Sequence, residues 1–275
     1  MRLLAMLLVI GTAACGENVT PTLAPTPNIA GAPSAPPVPL PPPAWTGPRL
    51  VQHPAVSVDR PTLLYFGVEA PAMFTHPRYR EIVAPLEQDW LIVALDPPAH
   101  GDDRRAGEDR ALAAWATRIR GGDPLVPPFT DLVSRALDYL IASGQTDPAR
   151  VFVAGISRGG FLALHVATVE PRIRGVVAMM PVTDLRALKE FAALQTHPYT
   201  IGLALHARAQ ALARVPLYVR IAADDDRVGG ATCAAFVALV TQAGGSVDFQ
   251  TRPGREHGLP SNWGLHAAQW LRSQP

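Results

Sequence analysis

Five residues, Gly155-Ile156-Ser157-Arg158-Gly159, set a serine between closely spaced glycines. The stretch Val151–Ala154 before it is apolar and strand-like, and Phe161–Thr168 after it reads as a helix. A serine at a sharp strand-to-helix turn projects its hydroxyl beyond the sheet, and small flanking residues let the chains pass closely. The helix start would also offer free N–H groups and a positive dipole end to a developing oxyanion. A serine hydroxyl is a poor nucleophile without a base. Eight histidines are available: His53, His76, His100, His165, His197, His206, His257 and His266. In an open α/β sheet the reactive groups gather beyond the carboxyl ends of the strands. His257 stands in the loop Arg252–Pro260, just past the last apolar run, and is the one placed to act as base. His165, His206 and His266 fall inside helical patterns and read as packing or surface residues. An orienting carboxylate should likewise follow a strand, and Asp224, Asp225 and Asp226 all do. Any of the three could serve. The triplet lacks the spaced oxygen ligands of a calcium loop.

The elements that must position these groups show as hydrophobic patterns. Short apolar runs occur at Thr62–Phe66, Trp90–Leu95, Val151–Gly155, Gly175–Met180, Pro216–Ala222 and Ser246–Thr251. Most are continuous rather than alternating, as expected of strands buried on both faces of a parallel sheet. Between them Phe129, Leu132, Val133, Ala136, Leu137, Leu140 and Ile141 share one helical face, with Thr130 as candidate N-cap. Residues 158–169, 229–243 and 262–272 are spaced in the same way. This alternation predicts an α/β fold, a doubly wound, mostly parallel sheet flanked by helices. The stretch Val51–Asp59 is expected to add antiparallel edge strands, with Pro54 limiting their length.

The order Ser157, aspartate, His257 is that of the α/β-hydrolases. From about Pro61 to the C-terminus the sequence resembles this superfamily, and Asp147–Gly160 (DPARVFVAGISRGG) is similar to its prolyl-oligopeptidase-like and dienelactone-hydrolase-like branches. The family acid often stands in a D-x-x-V pattern, so the resemblance selects Asp225 through Asp225-Asp226-Arg227-Val228. The H-G that follows the last strand falls on His257-Gly258. Leu95–Gly101 is similar to the D-x-P-G-H-G element, with Ala99 replacing a glycine. That element is mostly structural in the family, which implies no catalytic role for His100. The resemblance also implies an oxyanion hole made by the backbone N–H groups of Arg158 and Val68. Where many relatives carry H-G-G, this chain reads Tyr65-Phe66-Gly67-Val68-Glu69. A backbone donor does not need a particular side chain, so Phe66 in place of histidine need not remove the hole.

The chain has 275 residues, with Lys+Arg 24 against Asp+Glu 23 and a formal charge of +1. All but one of the basic residues are arginines scattered along the chain, the exception being Lys189. There is no basic excess of the kind nucleic-acid binders show. Hydrophobic residues at 48% against charged ones at 17% exclude global disorder. The 29 prolines concentrate early, 11 of them between Thr20 and Pro48, where they favour a semi-rigid spacer. Before it come Arg2, the apolar run Leu3–Ile10 and the small residues Gly11–Ala14, the pattern of a secretory signal. Eight apolar residues fall far short of the ~20 that a spanning helix needs. Ala13-Ala14-Cys15 is similar to the lipobox of bacterial lipoproteins, with Thr12 where leucine is usual, which implies lipidation at Cys15. The expected organisation is a signal peptide over 1–15, a linker over 16–50 and a hydrolase domain over 51–275. Acyl chains would hold that domain at a membrane surface of the bacterial cell envelope, on its periplasmic or extracellular face. Cys233, in the helical pattern Ala231–Val240, reads as a small buried hydrophobe. No metal or other cofactor is expected, because no His/Cys cluster has ligand spacing.

These readings predict a membrane-tethered serine hydrolase that cleaves carboxylic esters through a Ser-His-Asp acyl-enzyme mechanism. Its substrate would be a small-molecule or peptide acyl compound. The stretch 182–215 is longer than a simple crossover and is expected to form a short cap, with Phe191, Tyr199, Leu203 and Leu205 apolar enough to cover an acyl pocket. One alternative is a serine peptidase of prolyl-oligopeptidase type, although the propeller domain typical of those peptidases is not expected from this sequence. Another is a binding lipoprotein on a dead hydrolase fold, which a missing triad member would favour. None is missing here.

Overall fold

Residues 44–55 and 57–275 are described in a computed structural model. The expected signal segment, Cys15 and most of the Pro-rich stretch lie outside the described residues. Among the described residues seven strands form one sheet: β1 (Leu50–His53), β2 (Arg60–Phe66), β3 (Leu91–Leu95), β4 (Thr146–Ile156), β5 (Ile173–Met179), β6 (Leu217–Ala222) and β7 (Val247–Arg252). Their spatial order is β1-β3-β2-β4-β5-β6-β7. Only β1 runs antiparallel, at the edge, pairing Leu50 with Leu95 and His53 with Ile92. The six remaining strands pair in parallel, as continuous apolar runs require.

Successive strand residues feed opposite faces of the sheet. Leu64, Phe66, Val93, Val151 and Val153 join one core, whereas Leu63, Tyr65, Ile92, Phe152 and Ala154 join the other. The second core is covered by α1 (Ala70–Thr75), α2 (Pro77–Leu86) and a C-terminal helix, Trp263–Ser273. The first is covered by α3 (Ala111–Arg120), α4 (Val126–Ala142), α5 (Arg158–Val169) and the helix Gly230–Gln242. Between β5 and β6 the chain makes several 3-10 turns and two short helices, α6 (Pro198–Gly202) and α7 (Ala209–Leu212). The helices that follow β6 and β7 are α8 and α9. Phe191, Leu203 and Leu205 are buried in the first core, and the Tyr199 hydroxyl accepts the Val126 N–H at 3.2 Å. The apolar residues of 182–215 thus seat that stretch on α3 and α4.

Two local departures have plain causes. α4 starts at Val126 rather than at Thr130, because Pro127 and Pro128 fit a first turn whose N–H groups need no helical partner. The Thr130 hydroxyl instead donates to the Pro127 carbonyl at 2.9 Å. Ala99, where the related element carries glycine, has φ +60°, a conformation that glycine reaches without the Cβ penalty.

The chain direction reverses between β2 and β4. From β2 it moves outward to β3, then returns to the far side of β2 to build β4. Such a switch point opens a crevice beyond the carboxyl ends of the two strands. Phe66 pairs with Gly155 across it, so Gly67 and Val68 leave β2 beside Ile156 and Ser157 leaving β4.

Candidate active site

Ser157 terminates β4 and precedes α5, with φ +56° and ψ −116°. A serine seldom adopts positive φ, and surrounding contacts must hold it there. Its N–H donates to the Met179 carbonyl at 2.8 Å, and its carbonyl accepts the N–H groups of Phe161 and Val182. The flanking glycines permit the turn through close backbone approach. A Cβ on Gly155 would stand 2.1 Å from the Gly159 carbonyl, and one on Gly159 would stand 2.0 Å from the Phe66 oxygen. This crowding presses the start of α5 against the end of β2, where Gly67 and Val68 lie.

His257 and Asp225 reach Ser157 from the loops after β7 and β6. His257 Nε2 lies 3.0 Å from Ser157 Oγ, and its Nδ1 lies 2.8 Å from Asp225 Oδ2. An ionised carboxylate can only accept, so Nδ1 carries the proton and Nε2 presents its lone pair to the serine hydroxyl. Asp225 Oδ1 is occupied separately, accepting the N–H groups of Arg227 at 3.0 Å and Val228 at 3.1 Å. Burial works against the Asp225 charge. The hydrogen bond from His257, the charge that His257 carries when protonated and the two backbone N–H groups outweigh burial and hold the carboxyl below its ordinary pKa. The Asp225 side chain is wholly buried, whereas that of Asp226 is 60% exposed and faces Arg255 at 3.4 Å. Asp224 is also exposed. Only Asp225 of the triplet meets the histidine.

The His257 loop is clamped by a residue that the sequence did not single out. Arg252, ending β7, donates to the carbonyls of Glu256 at 2.7 Å and Gly258 at 3.0 Å, on either side of His257. Ala223 and Asp224 donate their N–H groups to the carbonyls of Arg252 and Gly254, tying this loop to the one that carries Asp225. The only sequence sign of this clamp is an arginine at a strand end, too common to carry weight alone.

Arg158 is the first residue of α5, so its N–H has no acceptor within the helix. Val68 follows β2 alongside, with its N–H directed at the Met73 sulfur at 3.4 Å. A thioether is a weak acceptor, which a substrate oxygen could replace. The remaining histidines take no part in this chain of contacts. His165 Nε2 contacts the Leu203 carbonyl at 3.1 Å, and burial, aided by the Arg208 charge, lowers its pKa to about 3. His100 is buried with Nδ1 on the Pro98 carbonyl at 2.9 Å. Burial, aided by a negative charge at Asp225, pushes the Cys233 thiol up to about 12, which makes it an inert core residue. Among the described residues no three His, Cys, Asp or Glu side chains form a group that could hold a metal ion. Among the same residues no helix is long and apolar enough to cross a membrane.

The arrangement can deliver a hydroxyl oxygen to a carbonyl carbon, remove its proton and present N–H groups to the resulting oxyanion. Solved structures with a similar fold include acetyl xylan esterase 1 from a Thermoanaerobacterium species (17% identity, TM-score 0.60, covering 81% of this chain and 77% of that one). A cold-adapted esterase from an Arctic intertidal metagenomic library matches at 20% identity and TM-score 0.59, over 82% of this chain and 87% of that one. The acylaminoacyl peptidase of Pyrococcus horikoshii matches at 14% identity and TM-score 0.58, over 81% of this chain and 38% of that one. This chain spans 32% to 39% of the length of the peptidase chains it matches. No curated protein matches the sequence significantly. The sequence model of the prolyl oligopeptidase family matches residues 113–272, more than half of the chain and the part that holds Ser157, Asp225 and His257. The chain belongs to the prolyl oligopeptidase family.

Proposed function

We propose that the protein is a membrane-tethered esterase for small carboxylic esters, with Ser157 as nucleophile, His257 as base and acid, and Asp225 as its orienting partner. The observation that carries this reading is the continuous contact Asp225 Oδ2–His257–Ser157 Oγ at 2.8 and 3.0 Å. Ser157 Oγ attacks the ester carbonyl carbon while His257 Nε2 takes its proton. The carbonyl electron pair moves to oxygen, which the N–H groups of Arg158 and Val68 receive, the latter leaving the Met73 sulfur. Collapse of this intermediate expels the alcohol, protonated by His257, and leaves an acyl-Ser157. Water, deprotonated by His257, then repeats the sequence and releases the acid.

Extensive coverage of the two esterase chains supports ester substrates over peptides. A comparison of p-nitrophenyl acetate and butyrate with acylaminoacyl p-nitroanilides tests the choice. Turnover of the esters with negligible anilide cleavage is expected. Anilide turnover that matches or exceeds the esters would assign a peptidase instead.

Tethering rests on the signal-like residues 2–14 and on Cys15. A thiol at that position is an acylation point, and acyl chains confer the membrane affinity that a Pro-rich spacer lacks. In a bacterial host, a fatty-acid probe is expected to label the wild-type chain and not Cys15→Ser. Equal labelling of the two would refute the anchor.

A further inference from the structure

Arg158 places a half-buried charged side chain directly after Ser157 in the chain. Its Nε is buried and has no hydrogen-bond partner among the described residues. The groups near enough to act on the guanidinium come from separate loops and helices at the carboxyl ends of the strands. Tyr79 and Glu69 follow β2, and Arg227 follows β6. The Arg158 charge acts in turn on His100, which follows β3. Ser157 leaves β4 at that same end of the sheet.

Several other partly buried arginines are paired with carboxylates, although the Arg208 Nε is likewise buried and without a partner among the described residues. Arg118 pairs with Glu108 at 2.5 Å, Arg172 with Glu170 at 2.6 Å, Arg220 with Asp248 at 2.9 Å and Arg227 with Glu190 at 2.7 Å. Arg158 has no carboxylate at such a distance among the described residues. Burial pushes its pKa down from the ordinary arginine value, and the Arg227 charge adds to this against the pull of Tyr79 and Glu69. A guanidinium nonetheless remains protonated at neutral pH. A partly buried cation without a carboxylate in contact is costly, and its planar fork of donors fits a carboxylate two bonds at a time.

We propose that Arg158 is a specificity-determining residue whose guanidinium receives a carboxylate borne by the substrate, so that the preferred esters are anionic in their acid or alcohol half. The proposal rests on Ser157 being the nucleophile.

Three alkyl esters separate the possibilities: ethyl butyrate is neutral, monoethyl glutarate carries a carboxylate in its acid half, and butyryloxyacetate carries one in its alcohol half. In the wild-type protein kcat/KM is expected to be higher for at least one anionic ester than for ethyl butyrate. Arg158→Met should lower that ratio by about tenfold or more, the scale of one charge-assisted contact, with Arg158→Lys retaining part of it. Glutarate should inhibit ethyl butyrate hydrolysis by the wild-type protein and neutral glutaramide should not, a readout that needs no variant to fold. A wild-type ratio at or below one for both anionic esters would overturn the proposal. So would a ratio that survives Arg158→Met, or equal inhibition by glutarate and glutaramide. Fluorophosphonate treatment of the same protein separates the two levels. A labelled Ser157 with no anionic preference sinks this inference alone, and an unlabelled Ser157 sinks the triad reading with it.

Discussion

Ser157→Ala is expected to lower kcat for ester hydrolysis by ~10⁶ while the protein stays folded, the scale of loss known for nucleophile removal in subtilisin. In the proposed mechanism the hydroxyl oxygen is the one atom of the site that bonds to substrate, and no neighbour can replace it. Cys233 is buried with its thiol pushed up to about 12, so it supplies no substitute nucleophile. The backbone at 157 is held by hydrogen bonds to Met179, Phe161 and Val182 that alanine also makes. Unfolding midpoints should therefore stay close to wild type. Kinetics with p-nitrophenyl butyrate beside a thermal melt check both halves. A well-folded Ser157→Ala protein that retained most activity would remove Ser157 from the mechanism.

Asp225→Asn should cut kcat by ~10⁴, the loss recorded for the corresponding change in a serine protease. Asparagine can still accept the Arg227 and Val228 N–H groups through its carbonyl oxygen, so the loop is kept. Its amide would then face His257 Nδ1 as a donor. That enforces the tautomer with the proton on Nε2, which cannot take the proton of Ser157. Asp224→Asn and Asp226→Asn alter exposed carboxylates and are expected to behave close to wild type. The substitution also has a signature in acid. The folded-state pKa of Asp225 is depressed, so its ionisation adds stability that is complete above the ordinary carboxylate pKa and is lost as pH falls through the depressed value. Asp225→Asn should flatten that part of the stability profile, as measured by urea unfolding across acidic pH. A large kinetic loss in Asp224→Asn or Asp226→Asn instead would move the acid to that position.

Much of this site was legible because the features that create it are short-range. The strand, turn and helix around Ser157 are contiguous, and their glycines are dictated by contacts only a few residues or one strand away. His257 was identifiable by its place after the last strand. Asp225 was harder. Hydrophobic patterning located the triplet, but the choice within it came from the resemblance in Asp225–Val228, and the structure supplies the physical reason. Two backbone N–H groups fold back onto Oδ1 and turn the side chain inward, leaving Oδ2 for the histidine.

Features that leave no pattern in residue type were not readable. The Arg252 clamp works through backbone carbonyls, which leave no trace in side-chain type. The seating of Val68 on Met73 needs the path of α1. The helices of 182–215 have only four or five residues, too few for a 3.6-residue period to show. β4 opens on a buried Thr146 followed by Asp147-Pro148-Ala149-Arg150, mostly exposed and without an apolar run, so only its buried half, from Val151, looked like a strand.

The most direct test of the central claim is treatment of the folded full chain with a fluorophosphonate, followed by mass mapping of the adduct. A single adduct is expected on Ser157, absent in Ser157→Ala and slow to form in Asp225→Asn, since capture requires the serine to be activated through His257. An intact, folded protein that takes up no reagent, or takes it up on another residue, would contradict the assignment of Ser157, His257 and Asp225 as one catalytic unit.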